Sequence, residues 1–252
     1  MKLKNELKKK LKSGKRTLGV WITVESPIVS ELLSGLGFDW FVFDLEHSPL
    51  EILLAQTLMQ ATKGSTTPIV RVAWNDPVQV KRALDIGAYG VVIPWVNNKE
   101  DAKKAVEACR YPPQGIRGCG PRRCSLFDPE YLKTANEEIL VIAQIETREA
   151  VQNLEEICSV EGIDVLFVGP SDLSASYGYI GKPEVLDVQK AIARVLEVAK
   201  NNGLAAGIYT GGGKTLVDRC KEGFQFIAVG GDLALLRRGA EETLNPLRTL
   251  IA

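Results

Sequence analysis

One unit recurs eight times along the chain: a short, continuously apolar run, a loop, and then a helical pattern. The runs are TLGVWIT (17–23), DWFVFDL (39–45), PIVRV (68–72), GVVIPW (90–95), ILVIAQIE (139–146), DVLFVGP (164–170), LAAGIYT (204–210) and FQFIAVGG (224–231). Runs of this kind do not alternate apolar with polar, as parallel strands buried on both faces should not. Helix starts are marked by Asp76-Pro77 and Asn97-Asn98, and helix ends by Gly87, Gly203 and Gly223. Eight strand–helix units in 252 residues predict a (β/α)8 TIM barrel, an α/β fold, as a single domain over 1–252. An open doubly wound sheet is the alternative. No G-x-G-x-x-G follows the first strand, which disfavours a dinucleotide site there.

Two segments lie outside this rhythm. The basic stretch KLKNELKKKLKSGKR places Leu3, Leu7 and Leu11 at helical spacing and predicts an N-terminal amphipathic helix with a solvated lysine face. Residues 111–138 form a long connection between the fourth helix and the fifth strand. Its Pro and Gly residues exclude a regular helix from its first half, while PEYLKTAN suits a helical turn. A connection of this length is more often functional than idle, yet it starts at the barrel's N-terminal face.

Lys+Arg and Asp+Glu both number 31, so bulk charge gives no reason to expect nucleic acid or an anionic membrane as partner. No apolar stretch is long enough to span a bilayer, and no signal-peptide pattern is seen. The five cysteines are odd in number and lack a C-x-x-C, which predicts reduced thiols in a cytoplasm.

Active sites of such barrels lie at the C-terminal ends of the strands. The residues there are Asp44, Glu46 and His47 after strand 2, Arg71 on strand 3, Gln144 and Glu146 on strand 5, and Gly169, Ser171 and Asp172 after strand 6. Glu146 and Asp172 are oxygen ligands of the class that Mg2+ or Mn2+ prefers. Arg71 suits a carboxylate or a developing oxyanion. His47, the one histidine, is the natural proton shuttle, with Asp44 or Asp85 to orient it. Gly169 permits close backbone approach, and the amides of Ser171 and Asp172 suit an anion. Each has a structural reading too: His47 as a hydrogen-bonder, Glu146 and Asp172 as caps, Arg71 as a structural ion pair, Asp85 as a solvated helix residue. Their coincidence at one rim favours chemistry. No lysine falls at a strand end except Lys214, just past strand 7, which disfavours a Schiff base.

The segments WFVFDLEHSPLE, GAYGVVIPWVNNKEDA, RYPPQGIRGCGP, AQIETREAVQNLEEI, GIDVLFVGPSDLSASYG and FIAVGGD together resemble the class II hydroxy-oxo-acid (pyruvate) aldolases of the HpcH/HpaI type, in order over nearly the whole chain. The resemblance implies reversible cleavage of a 4-hydroxy-2-oxo acid to pyruvate and an aldehyde, dependent on Mg2+, Mn2+ or Co2+, without nucleotide or Schiff-base cofactor. It implies Glu146 and Asp172 as metal ligands, Arg71 on the keto-acid oxygens, and His47 in proton transfer supported by Asp44 or Asp85. Gln144 would face the substrate, and Gly169, Ser171 and the Asp172 amide would cradle its carboxylate. It also implies a homo-hexamer with the last helix exchanged or packed between neighbours. Departures fall at Gly211–Gly213 and Cys124, both bearing on the aldehyde. Two rivals are a lyase acting on a CoA thioester, with Arg117, Arg122 and Arg123 read as a diphosphate groove, and a non-catalytic binding barrel.

Overall fold

The computed structural model describes residues 4–251. Its strands are β1 (Thr17–Ile22), β2 (Trp40–Asp44), β3 (Thr67–Arg71), β4 (Gly90–Ile93), β5 (Leu140–Ile145), β6 (Val165–Val168), β7 (Ala205–Tyr209) and β8 (Phe226–Gly231). They pair in chain order and close into one barrel, β8 running parallel to β1. The (β/α)8 expectation is met, and the open sheet is excluded by the closure.

The apolar strands serve two cores. One face of each packs outward on the helices, in a cluster including Phe43, Val70, Val91, Val141 and Ile227. The other fills the barrel interior with Trp21, Trp40, Ile69, Val92, Phe167 and Phe226. Trp40 lies flat on Phe226, ring centroids 3.8 Å apart. Gly19 makes this possible, because a Cβ there would stand 2.0 Å from the Trp40 ring. The helix over Pro77–Asp85 begins as its sequence demands: Pro77 occupies its first turn, and the Asp76 carboxylate accepts the amides of Val78 and Gln79 at 2.9 and 3.0 Å.

The N-terminal helix forms over Glu6–Lys12, but its lysine face is not wholly solvated. Leu7 and Leu11 join the interior core at the barrel's N-terminal face. Lys8 is buried with them, donating to the Ile139 carbonyl at 2.9 Å and pairing with Asp164 at 3.0 Å. The helix is a plug, and burying Lys8 is tolerable because both a charge and a carbonyl meet it. Leu3 lies outside the described residues.

The long connection holds two helices, Arg122–Phe127 and Tyr131–Glu138, the second over the segment expected to turn. Arg117 is fully buried between Tyr111 and Tyr131, its guanidinium carbon 4.5 and 5.5 Å from their rings, and pairs with Asp85 at 2.7 Å. Arg123 donates to the Ile86 carbonyl. Two of the three arginines read as a diphosphate groove are thus engaged within the fold.

Candidate active site

Register builds the first half of the site. Asp44 and Arg71, the last residues of β2 and β3, are direct cross-strand partners. The Arg71 Nε and Nη2 donate to the two Asp44 oxygens at 2.8 and 2.7 Å, a buried bidentate pair. The third nitrogen, Nη1, lies 2.8 Å from Glu46 Oε2. Burial works against the charge on Arg71, but Asp44, Glu46 and Glu146 outweigh it, and its pKa is raised. Asp44 Oδ1 also accepts the backbone amides of Glu46 and His47 at 3.0 and 3.3 Å, folding the strand's exit round the ion pair.

Glu46 is the residue that sequence reasoning underrated. Burial pushes its pKa up to about 7 against the pull of Arg71, with Asp44 and Asp172 adding to the rise. Its Oε2 makes the contact to Arg71 without hydrogen-bond alignment. The only hint in the sequence was a second carboxylate two residues beyond Asp44, on the same side of the exit turn.

The other half comes from β4 to β6. Glu146 follows β5 directly and is buried, accepting the Trp95 amide at 2.9 Å on Oε1 and the Gln144 side-chain amide on Oε2. Burial raises its pKa to about 7; these two hydrogen bonds oppose the rise, and the charges of Glu46 and Asp172 support it. Trp95 reaches Glu146 through a left-handed backbone, φ 55°, the one non-glycine residue so placed among the described residues. A Cβ at Gly169 would stand 3.4 Å from both Gln144 Nε2 and Glu146 Oε2, so the absence of a side chain keeps this corner open. Asp172 lies in the first turn of the helix Pro170–Ser176, exposed like Ser171. Between β8 and β1, the buried Asp232 accepts the amides of Thr23 and Val24, each at 2.8 Å, and the Thr23 hydroxyl at 2.7 Å. That latch was readable only as an acidic residue at a strand end.

The structure therefore assembles Asp44, Arg71, Gln144, Glu146, Gly169 and Asp172 around one mouth, and separates the expected histidine dyad. The His47 ring is 63% exposed, and its Nε2 is nearest Glu46, at 3.8 Å from Oε1. Asp44 meets only its backbone. Asp85 is corrected outright as a partner within the chain. It ends a helix that runs antiparallel to the strands, so it lies at the opposite face, on Arg117.

A hard divalent cation fits the Glu146 corner. Glu146 and Asp172 are both oxygen donors, and Gln144 Oε1 is buried beside them without a hydrogen-bond partner. Among the described residues no three His, Cys, Asp or Glu side chains gather to hold an ion alone. A cation there would complete its shell with water and substrate, as Mg2+ commonly does.

A closed parallel barrel with carboxylates and one clamped arginine gathered at the C-terminal strand ends has the layout of a barrel enzyme, whose active site lies at that face. Residues 17–239 match the family model described as HpcH/HpaI aldolase/citrate lyase. The chain is 43% identical over 244 residues to a 4-hydroxy-2-oxo-heptane-1,7-dioate aldolase of Escherichia coli, covering 95% of this chain and 93% of that one. It is 45% identical over 245 residues to the enzyme of the same name from Salmonella typhimurium, with the same coverage of 95% and 93%. An HpcH/HpaI aldolase/citrate lyase family protein from Burkholderia cenocepacia superposes with a TM-score of 0.93 at 34% identity, over 97% of this chain and 100% of that one. The chain belongs to the HpcH/HpaI aldolase/citrate lyase family, and it is a lyase of the aldolase type.

Proposed function

We propose that the chain reversibly cleaves a 4-hydroxy-2-oxo acid to pyruvate and an aldehyde, with a divalent cation held by Glu146 and Asp172. The observation that carries this is the pairing of opposites at one mouth: Arg71, fixed on two sides by Asp44 and Glu46, against the oxygen set of Glu146, Asp172 and the unpartnered Gln144 Oε1.

Arg71 binds the keto-acid oxygens and places positive charge where the enolate oxygen develops. Asp44 holds the guanidinium flat and in place. Gly169, Ser171 and the Asp172 amide receive the carboxylate, and Gln144 faces the bound acid. His47, exposed at the rim, moves the proton of the 4-hydroxyl, and Glu46 is the nearest carboxylate to balance its charge. The cation, when bound, supplies Lewis-acid polarisation of the ketone.

Pyruvate release from a 4-hydroxy-2-oxo acid, followed with a coupled lactate dehydrogenase assay, tests the reading. Chelation is expected to abolish the activity, and Mg2+, Mn2+ or Co2+ to restore it; full activity after metal stripping rejects the metal-dependent route.

We also place the enzyme in the cytoplasm, as a single-domain protein whose partners are small molecules. All five cysteines are free, in keeping with a reducing compartment. A homo-hexamer that packs the last helix, Asp232–Ile251, between neighbours is supported by exposed Leu233, Leu236, Leu244 and Leu247 on it.

A further inference from the structure

Two large aromatic side chains stand exposed beside the reaction centre with no role in the chemistry above. Trp74 is 50% exposed and Trp95 44%. Their rings contact each other, centroids 5.6 Å apart and planes tilted by 33°. Trp74 follows β3, which carries Arg71, and Trp95 follows β4, the strand between Arg71 and the Glu146 end of β5. The Trp95 amide is 2.9 Å from Glu146 Oε1, so its side chain begins within one small-molecule length of that carboxylate.

The rings are exposed but their backbones are not free. The Asp76 amide donates to the Trp74 carbonyl at 2.8 Å. Asn75, next to Trp74, is buried and donates to the Asp101 carbonyl at 3.0 Å. Pro94 and Val96, on either side of Trp95, are buried. Asn97 accepts from the Thr147 hydroxyl on its side-chain oxygen and from Asn153 Nδ2 on its carbonyl, the latter at 2.9 Å. A tryptophan held at φ 55° also gives up the backbone region that a side chain prefers. This is an exposed apolar surface held rigidly beside a charged reaction centre, as a specificity wall should be.

We infer that Trp74 and Trp95 form the acceptor wall of the site and select aldehydes with an apolar body behind the carbonyl. This rests on the aldolase reading. One part of the substrate, the keto acid, is recognised by Arg71 and the carboxylate corner. The part that varies among aldehydes extends past β4, over the paired rings. Each buried methylene against such a wall is worth a factor of roughly ten or more in kcat/KM.

The experiment is a homologous series of acceptors, glycolaldehyde and then propanal to hexanal, condensed with pyruvate by the metal-loaded enzyme, with kcat/KM measured for each. The wild type is expected to improve with chain length. Trp95→Gly suits the left-handed backbone and leaves the amide on Glu146. Trp74→Ala leaves residue 95 untouched. Each variant leaves the other ring in place, so each is expected to make the series shallower by about one methylene's worth, losing about tenfold on hexanal but less than about twofold on glycolaldehyde, with the affinity for Mn2+ and the assembly size unchanged. A flat series in the wild type overturns the inference, as does an equal loss on glycolaldehyde and hexanal. Dissociation of the assembly in Trp74→Ala also overturns it, because the rings would then be covered by a second copy. No condensation with any aldehyde would fail the aldolase reading itself, and the acceptor wall with it; activity on all of them without discrimination fails the wall alone.

Discussion

The two ends of the barrel treat buried charge in opposite ways. At the N-terminal face, cations are balanced within the fold. Lys8 meets Asp164, Arg117 meets Asp85 at 2.7 Å, and Arg110 donates to the carbonyls of Ile139 and Gly162 at 3.1 and 3.3 Å. At the C-terminal mouth, Asp44, Glu46 and Glu146 crowd about one arginine, with the exposed Asp172 adding its charge to both glutamates, and those two carboxyls are pushed up to about 7. The first arrangement holds the barrel shut. The second stores unfavourable electrostatics of the kind that the proposed cation would relieve. Stability and chemistry are thereby housed at opposite ends of the same strands, as the division of labour in such barrels requires.

The largest effects should come from disturbing the mouth. Arg71→Lys keeps the charge but loses the bidentate hold on Asp44, and turnover is expected to fall by roughly 10²–10³. Glu146→Gln should abolish high-affinity Mn2+ binding in calorimetry; unchanged binding would remove Glu146 from the ligand set. Neither change should lower the thermal midpoint as far as a break at the other end does.

There, Asp164→Ala leaves Lys8 buried with only a carbonyl for company. A loss of about 3 kcal/mol is expected in denaturant unfolding, with kcat unaltered. A comparable fall in kcat would show that the two faces are coupled and would end the contrast drawn above.

The smallest effect is on pH dependence. Glu46 binds its proton more tightly in the folded chain, at about 7, than at its ordinary value of 4.5. Its contribution to stability is therefore complete below about pH 4.5 and is lost as pH rises through about 7. In metal-free protein, Glu46→Gln should remove that slope and leave the variant about 1–2 kcal/mol ahead of the wild type at pH 8, after allowing for solvent screening. Parallel pH profiles for the two proteins would show that the mouth carries no such strain.

The barrel was legible because its strands are apolar on both faces and its helices carry caps, both local signals. The strand-end residues were legible for the same reason, since counting to the end of a strand finds Arg71, Glu146 and Asp172 without tertiary knowledge. What local signals could not convey depends on distant partners. Lys8 looks like one lysine among several until Asp164, 156 residues away, is placed beside it. Asp85 looks available to His47 until helix polarity sends it to the opposite face. The role of the Trp95 amide on Glu146 belongs to a backbone angle that no pattern of side chains announces.

The plug helix also sets an order of events during synthesis. Leu7, Lys8 and Leu11 leave the ribosome early, but Ile139 and Asp164, which hold Lys8, and Leu140 and Val165 of the core that the two leucines join, emerge far later. Until then the nascent chain displays two leucines and an unneutralised lysine with nowhere to go. Sealing the barrel floor is thus a late step, and a chain halted before β6 would lack the floor whatever the state of its first strands.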